Sequence, residues 1–216
     1  MNRTYVVGDI HGCYDELAAL VELVRLGESD RLVCVGDLVT KGKKSREVLE
    51  LFMRDARLTS ALGNHDRALL EYWRGGRKKK ELKPSQRKCA KQLKEGREVY
   101  AEFLARLPAY VDLGAHVVVH AGLRPGVPLA EQTLDDLTAL RTLGPDPESR
   151  DGVPWYEVYD GEKVALFGHW PADEPRRGPR AIGLDTRCVY GGRLTAYVVE
   201  TGEFVSVPAL RAYAEK

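Results

Sequence analysis

Short apolar runs in the first third of the chain stop at glycine and hand over at once to a polar, metal-capable side chain. Tyr5-Val6-Val7 leads into Gly8-Asp9-Ile10-His11-Gly12, and Leu32-Val33-Cys34-Val35 into Gly36-Asp37-Leu38-Val39-Thr40-Lys41-Gly42. Leu58-Thr59-Ser60-Ala61-Leu62 leads into Gly63-Asn64-His65-Asp66. Runs of this kind bounded by glycine read as strands, expected over Arg3–Val7, Arg31–Val35 and Leu58–Leu62. Between them the apolar period lengthens. Leu17, Leu20, Val21 and Val24 share one face of a helix over Cys13–Leu26, and a second helix is expected from Ser45 to Met53. Alternating strand and helix argues for parallel strands joined by crossovers, with function where strand C-termini open into loops.

The second half reads mostly as strands. A helical stretch from Ser85 to Arg106 is closed by Pro108, and beyond it Tyr110–Leu113 and Val117–His120 are expected to pair as a hairpin across Gly114. A short helix is expected near Thr133–Leu140 and an exposed turn region over Pro145–Pro154. Strands follow over Lys163–Phe167, Arg180–Leu184, Leu194–Glu200 and Glu203–Val207, the last two joined by Thr201-Gly202. Two of these runs again end in a ligand-type residue beside glycine, as His120-Ala121-Gly122 and Gly168-His169-Trp170. The expected class is α/β, without internal repeats.

At 216 residues, 44% hydrophobic and 30% charged, the chain can bury one sizeable core, and a single domain over 1–216 is expected. No apolar run approaches the roughly 20 residues of a membrane span, and no charged-then-apolar leader opens the sequence, so a cytoplasmic protein without a membrane partner is expected. Cys13, Cys34, Cys89 and Cys188 show no paired spacing, which argues for reduced thiols rather than disulfides or a thiolate zinc site. Charge changes the picture in one place. Residues 74–97 carry 11 Lys or Arg against two Glu, in a chain whose formal net charge is +1. This basic helical insertion, about 74–106, reads either as a solvated face or as a rim that attracts a polyanion.

Of the five histidines, His11, His65, His120 and His169 follow strand-like runs, whereas His116 reads as structural. Together with Asp9, Asp37 and Asn64 they form a set of imidazole, carboxylate and carboxamide donors. Such a set suits manganese, iron or zinc and, lacking thiolates, is not a structural zinc site. Asp37 can use both oxygens to bridge two ions. Two ions about 3.5–4 Å apart can clamp a phosphate and lower the pKa of a shared water, so the substrate should be a phosphate ester or anhydride.

Asp-x-His-Gly, Gly-Asp-x-Val-x-Lys-Gly, Gly-Asn-His-Asp, His-Ala-Gly and Gly-His, in that order over residues 8–169, resemble the phosphoprotein-phosphatase type of calcineurin-like metallophosphatase. The resemblance implies a β-sandwich flanked by helices with two manganese-type ions at the strand ends, cobalt, iron or zinc being alternatives. It implies Asp9, His11 and Asp37 on one ion, and Asp37, Asn64, His120 and His169 on the other. His65, oriented by Asp66, would protonate the leaving oxygen. Gly12-Cys13-Tyr14-Asp15-Glu16-Leu17, Gly168-His169-Trp170 and the stretch from Leu184 to Thr195 are similar to the diadenosine-tetraphosphatase (ApaH) branch and its ApaH-like relatives.

Two departures bear on substrate. Where protein phosphatases carry Asp-Arg-Gly, this sequence has Thr40-Lys41-Gly42; Lys offers one compact charge where Arg forks two phosphate oxygens. The family's second phosphate-binding Arg is best matched by Arg141, from its place between the His120 and His169 motifs. The expected activity is hydrolysis of a dinucleoside polyphosphate, diadenosine tetraphosphate to two ADP. A phosphomonoesterase acting on phosphoserine, phosphothreonine or phosphotyrosine is the alternative, and a basic module binding RNA or an acidic partner through 74–97 is a third reading.

Overall fold

The computed structural model describes residues 2–215, so the outermost residue at each end of the expected 1–216 domain lies outside it. Strands β1 (Thr4–Val7), β2 (Arg31–Cys34) and β3 (Leu58–Ser60) run parallel, joined by helices α1 (Tyr14–Leu23) and α2 (Ser45–Arg54). The sheet is completed by β9 (Arg193–Val198), antiparallel to β1, and β10 (Phe204–Pro208), in the order β10-β9-β1-β2-β3. A second sheet has the order β4-β5-β6-β8-β7, from β4 (Tyr110–Asp112), β5 (His116–Val119), β6 (Val164–Phe167), β7 (Arg176–Arg177) and β8 (Ala181–Gly183). Here β5, β6 and β8 are parallel, and antiparallel strands close both edges.

The period of two explains why these strands are apolar on both faces. Val6, Val33 and Val35 of the first sheet meet Val118 and Leu166 of the second in one buried layer between the sheets. Their neighbours Tyr5, Val7, Leu32 and Cys34 point the other way, into the core under α1 and α2. Val117, Val119, Ala165 and Phe167 do the same on the outside of the second sheet, around Trp155. Both faces of each sheet are covered, the pattern of buried, largely parallel strands. This is the expected calcineurin-like α/β architecture of two mixed sheets flanked by helices.

Three local expectations change. Helix α3 (Asn64–Trp73) begins inside the third motif, where no helix was expected; Asp66, in its first turn, accepts from the Gly63 N–H at 3.1 Å and closes the N-terminus. The expected stretch Ser85–Arg106 is two helices, α4 (Pro84–Gln92) and α5 (Arg97–Arg106), because Gly96 adopts φ +82° and breaks the run. After α6 (Leu134–Ala139), the expected turn region Pro145–Pro154 is followed by a short helix that was not expected, α7 (Trp155–Val158), whose Trp155 is fully buried. No helix among the described residues is long and apolar enough to cross a membrane.

Candidate metal centre

Six parallel strands deliver the polar residues to one place. Asp9 and His11 follow β1, Asp37 follows β2, and Asn64 and His65 open α3 after β3; His120 follows β5, His169 follows β6 and Asp185 follows β8. Tight turns are needed to reverse the chain directly at a strand end. His11, Asp37 and His169 have φ of 47°, 55° and 65°, and Thr40 and Lys41 have 76° and 56°. Left-handed backbone is uncommon for non-glycine residues and concentrates at functional sites. The glycines beside these residues allow close approach: a Cβ on Gly168 would overlap Asp9 Oδ1, and one on Gly63 would overlap Asp37.

Asp37 is the hub. Its Oδ1 accepts from the His65 backbone N–H at 2.9 Å, while Oδ2 lies 3.4 Å from His11 Nε2 and 3.6 Å from His120 Nε2. The other ring nitrogens are engaged elsewhere, His11 Nδ1 with Val39 O at 3.1 Å and His120 Nδ1 with Val35 O at 3.3 Å. A nitrogen that donates to a carbonyl carries the proton, so both Nε2 atoms are bare acceptors. Two lone pairs therefore face one carboxylate oxygen, and His120 Nε2 also faces Asn64 Oδ1 at 3.0 Å. Acceptors facing acceptors repel unless cations lie among them. Asp9 lies on the far side, its Oδ2 3.8 Å from His11 Nε2 and both its oxygens accepting the His169 N–H at 3.1 and 3.2 Å. His169 Nε2 is buried with no hydrogen-bond partner, and its ring centroid is 4.9 Å from that of His120. The ammonium of Lys41 lies 2.6 Å from His11 Nε2, so this corner of the site already draws positive charge.

The electrostatics point the same way. Burial pushes the Asp9 carboxyl up, with Asp185 and Asp37 adding to the effect, and burial pushes Asp185 up to about 6. Burial also acts against Asp37, but His120, His65, His11 and Lys41 outweigh it and hold that group below the usual carboxylate range. Burial lowers His11, His120 and His169, leaving neutral imidazoles, the form that ligates metals. Three crowded carboxyls and three imidazoles that burial pushes toward their neutral form, with Lys41 the cation beside them, make a donor-rich pocket that fits divalent ions. The sequence places Asp185 in the stretch from Leu184 to Thr195 without a role in the site, although Ile182-Gly183-Leu184-Asp185 repeats the strand, glycine and acid pattern of the earlier motifs.

The partner of His65 differs from expectation. The Asp66 carboxylate accepts from the backbone N–H groups of Gly63, Leu38 and Val39 at 3.1, 3.3 and 3.3 Å; it braces the Asp37 loop instead of orienting the His65 ring. At 2.8 Å from His65 Nδ1 stands the hydroxyl of Thr40. Burial pushes His65 down to about 3, with Lys41 and Lys83 acting in the same sense and Asp37 against. Arg141 sits close enough to the centre for its charge to lower His120 and His169. Its Nε is buried without a partner, while Nη1 donates to Glu148 O at 3.4 Å. From Asn64 a cleft of 360 Å³ opens past Arg67, Arg77 and Lys83 towards Thr138 and Glu148. His116 lies at the opposite end of β5, its ring 5.8 Å from that of Tyr197.

Residues 3–199 match the family model of the calcineurin-like phosphoesterases. The chain belongs to this family. Members use a dinuclear centre of divalent metal ions, and this phosphoesterase is accordingly a metal-dependent hydrolase. It is 33% identical to the bis(5'-nucleosyl)-tetraphosphatase PrpE [asymmetrical] of Bacillus subtilis (strain 168), over 97% of this chain and 96% of that protein. It is 29% identical to the symmetrical bis(5'-nucleosyl)-tetraphosphatase of Vibrio parahaemolyticus, over 96% of this chain and 99% of the relative. A solved crystal structure of a candidate diadenosine tetraphosphatase superposes with a TM-score of 0.83 at 36% identity, covering 96% of this chain and 94% of the other.

Proposed function

We propose that this phosphoesterase hydrolyses the phosphoanhydride of a dinucleoside polyphosphate in the cytoplasm, cutting diadenosine tetraphosphate to two ADP with two manganese ions. Asp9, His11 and Asp37 would hold one ion, and Asp37, Asn64, His120 and His169 the other, with Asp37 shared. When bound, such a pair neutralises phosphate charge and lowers the pKa of a water toward neutrality. Lys41, at His11, and Arg141, whose charge reaches His120 and His169, hold the phosphate undergoing attack. Asp66 keeps the Asp37 loop in register, and Asp185 adds negative charge beside Asp9. With its Nδ1 engaged by Thr40, His65 has Nε2 to offer the leaving oxygen.

The observation that carries the choice of substrate is that Thr40 contact. A carboxylate at Nδ1 would stabilise the imidazolium and so keep a charged proton donor populated near neutral pH; a neutral hydroxyl does not. The leaving oxygen of a phosphoanhydride is itself a phosphate, with a pKa near 6, and departs with little proton transfer. A seryl or threonyl alkoxide is a far stronger base and depends on the donor. The site is thus better matched to an anhydride than to a phosphoprotein ester, in keeping with the names of its full-length relatives.

The test is direct. Manganese-loaded enzyme is incubated with diadenosine tetraphosphate and the products are resolved by anion exchange. ADP alone is expected. ATP plus AMP would move the cleavage to the asymmetrical position, and no nucleotide product at enzyme levels that readily hydrolyse p-nitrophenyl phosphate would refute the substrate.

A further inference from the structure

The basic stretch between α3 and α5 is not absorbed by the metal centre, and it borders a half-open space of its own. The elbow that Gly96 puts between α4 and α5 faces the C-terminal end of α3, leaving a cavity of 560 Å³. Tyr72, Trp73, Leu82 and Ala90 supply its apolar lining, and Trp73 and Ala90 also pack on the main core. The remaining lining is cationic: Lys79, Arg87, Lys88, Lys91, Lys94 and Arg97, with no carboxylate among them. Arg97 is paired with Glu98 at 2.8 Å, and Arg87 donates to Leu82 O at 2.8 Å. The four lysines form no ion pair among the described residues. Like charges gathered around one cavity raise its potential and favour an anion carrying several charges.

We propose that this cavity is an accessory site for a nucleoside polyphosphate, with the base against Trp73 and the phosphates among Lys88, Lys91 and Lys94. The combination of aromatic wall and carboxylate-free cationic wall selects for the class. Rings without cations would suit any apolar ligand, and cations without rings any anion; a nucleoside polyphosphate carries both a flat π-face and a phosphate chain on one small body. The volume lies within the usual range for a single small molecule. A nucleic-acid strand would call for successive stacking surfaces along a groove, whereas both rings here are consecutive residues at one helix end. None of the lining residues is a donor of the metal centre, so the inference stands independently of the substrate proposed above. Lys88 also lines a separate cleft of 180 Å³ together with Lys41 and Gly42.

The experiment uses the Asp37→Asn enzyme, which removes turnover, with ATP, inorganic tripolyphosphate, adenosine and a ten-residue oligouridylate as probes. Intrinsic tryptophan fluorescence and calorimetry report binding at fixed salt. ATP should quench saturably, and the part of the quench that weakens with Lys91→Glu and Lys94→Glu should vanish in Trp73→Phe; Trp155 is buried in the other core, and Trp170, beside His169, reports nucleotide at the metal centre instead. Lys91→Glu with Lys94→Glu, both exposed positions, should raise the ATP Kd about 10- to 30-fold, as expected from reversing two solvent-screened charges beside the phosphates. A circular-dichroism melt checks that the variants are folded. An ATP Kd unchanged by the two reversals would place the nucleotide elsewhere and overturn the proposal. Tripolyphosphate binding as tightly as ATP would overturn base recognition, and oligouridylate binding more tightly than ATP at the same salt would overturn the single-nucleotide occupant.

Discussion

Replacing Thr40 by Val tests the substrate argument at its narrowest point. The side chain is fully buried, its hydroxyl is 2.8 Å from His65 Nδ1, and valine keeps the branched shape at a backbone φ of 76°. What is lost is the hydrogen bond to His65, leaving its buried Nδ1 unpartnered, together with a 3.5 Å contact to His11 Nδ1, which keeps Val39 O as its partner; the change costs about 1–3 kcal/mol. If the whole cost falls on the transition state, kcat drops by roughly 5- to 150-fold at about 1.4 kcal/mol per factor of ten. The drop should depend on the leaving group. Phenyl phosphate, whose leaving oxygen is the more basic, should sit at the upper end, while p-nitrophenyl phosphate and diadenosine tetraphosphate sit at the lower end. Metal content should be unchanged, because Thr40 is not a donor. Adding Thr40→Val to His65→Asn should cost little more, since the two side chains act as a unit. Thr40→Asp, which tolerates left-handed backbone and restores a carboxylate, should raise turnover of phenyl phosphate above wild type. An equal loss on both aryl phosphates, or the full Thr40→Val factor appearing in the His65→Asn background, would refute the reasoning.

Other expectations follow from the same geometry. Asp37→Asn removes the oxygen that faces both His11 and His120, so metal analysis after gel filtration should show a loss of bound ions along with loss of turnover, whereas His65→Asn should keep its metals. Lys41→Ala should raise KM for phosphate substrates with little change in metal content, and Lys41→Arg should lower it; unchanged KM in both would remove Lys41 from the phosphate site. Glu16, buried in α1, accepts from the Leu210 N–H at 2.9 Å and the Tyr213 hydroxyl at 2.8 Å, tying the C-terminal segment down. Glu16→Ala should cost about 2 kcal/mol and lower Tm by roughly 4–8 °C in calorimetry, with Glu16→Gln milder.

Much of this site is visible as local pattern. An apolar run that ends in glycine and then in Asp, His or Asn is a short-range signal. It identified Asp9, His11, Asp37, Asn64, His120 and His169 as residues at strand ends, together with the parallel crossovers that carry the first three. The missed helix α3 and the broken helix at Gly96 mark the limit of that signal. A helix that starts within a ligand motif hides its N-terminal cap among the donors, and one glycine in a long polar stretch does not announce a left-handed turn.

Alone, the chain order and chemical types of the residues determined the donor set, the strand ends that present it and the concentration of positive charge after residue 73. Only the packing of the two sheets, through Val6, Val33, Val118 and Leu166, decided which donors meet. It set His120 Nδ1 on Val35 O, 85 residues earlier, leaving its Nε2 on the same Asp37 oxygen that His11 faces. It also brought Asp185 beside Asp9 and Thr40 rather than Asp66 to the ring of His65. Periodicity reports which face of an element is buried; which distant loop lies across from it is set by long-range packing.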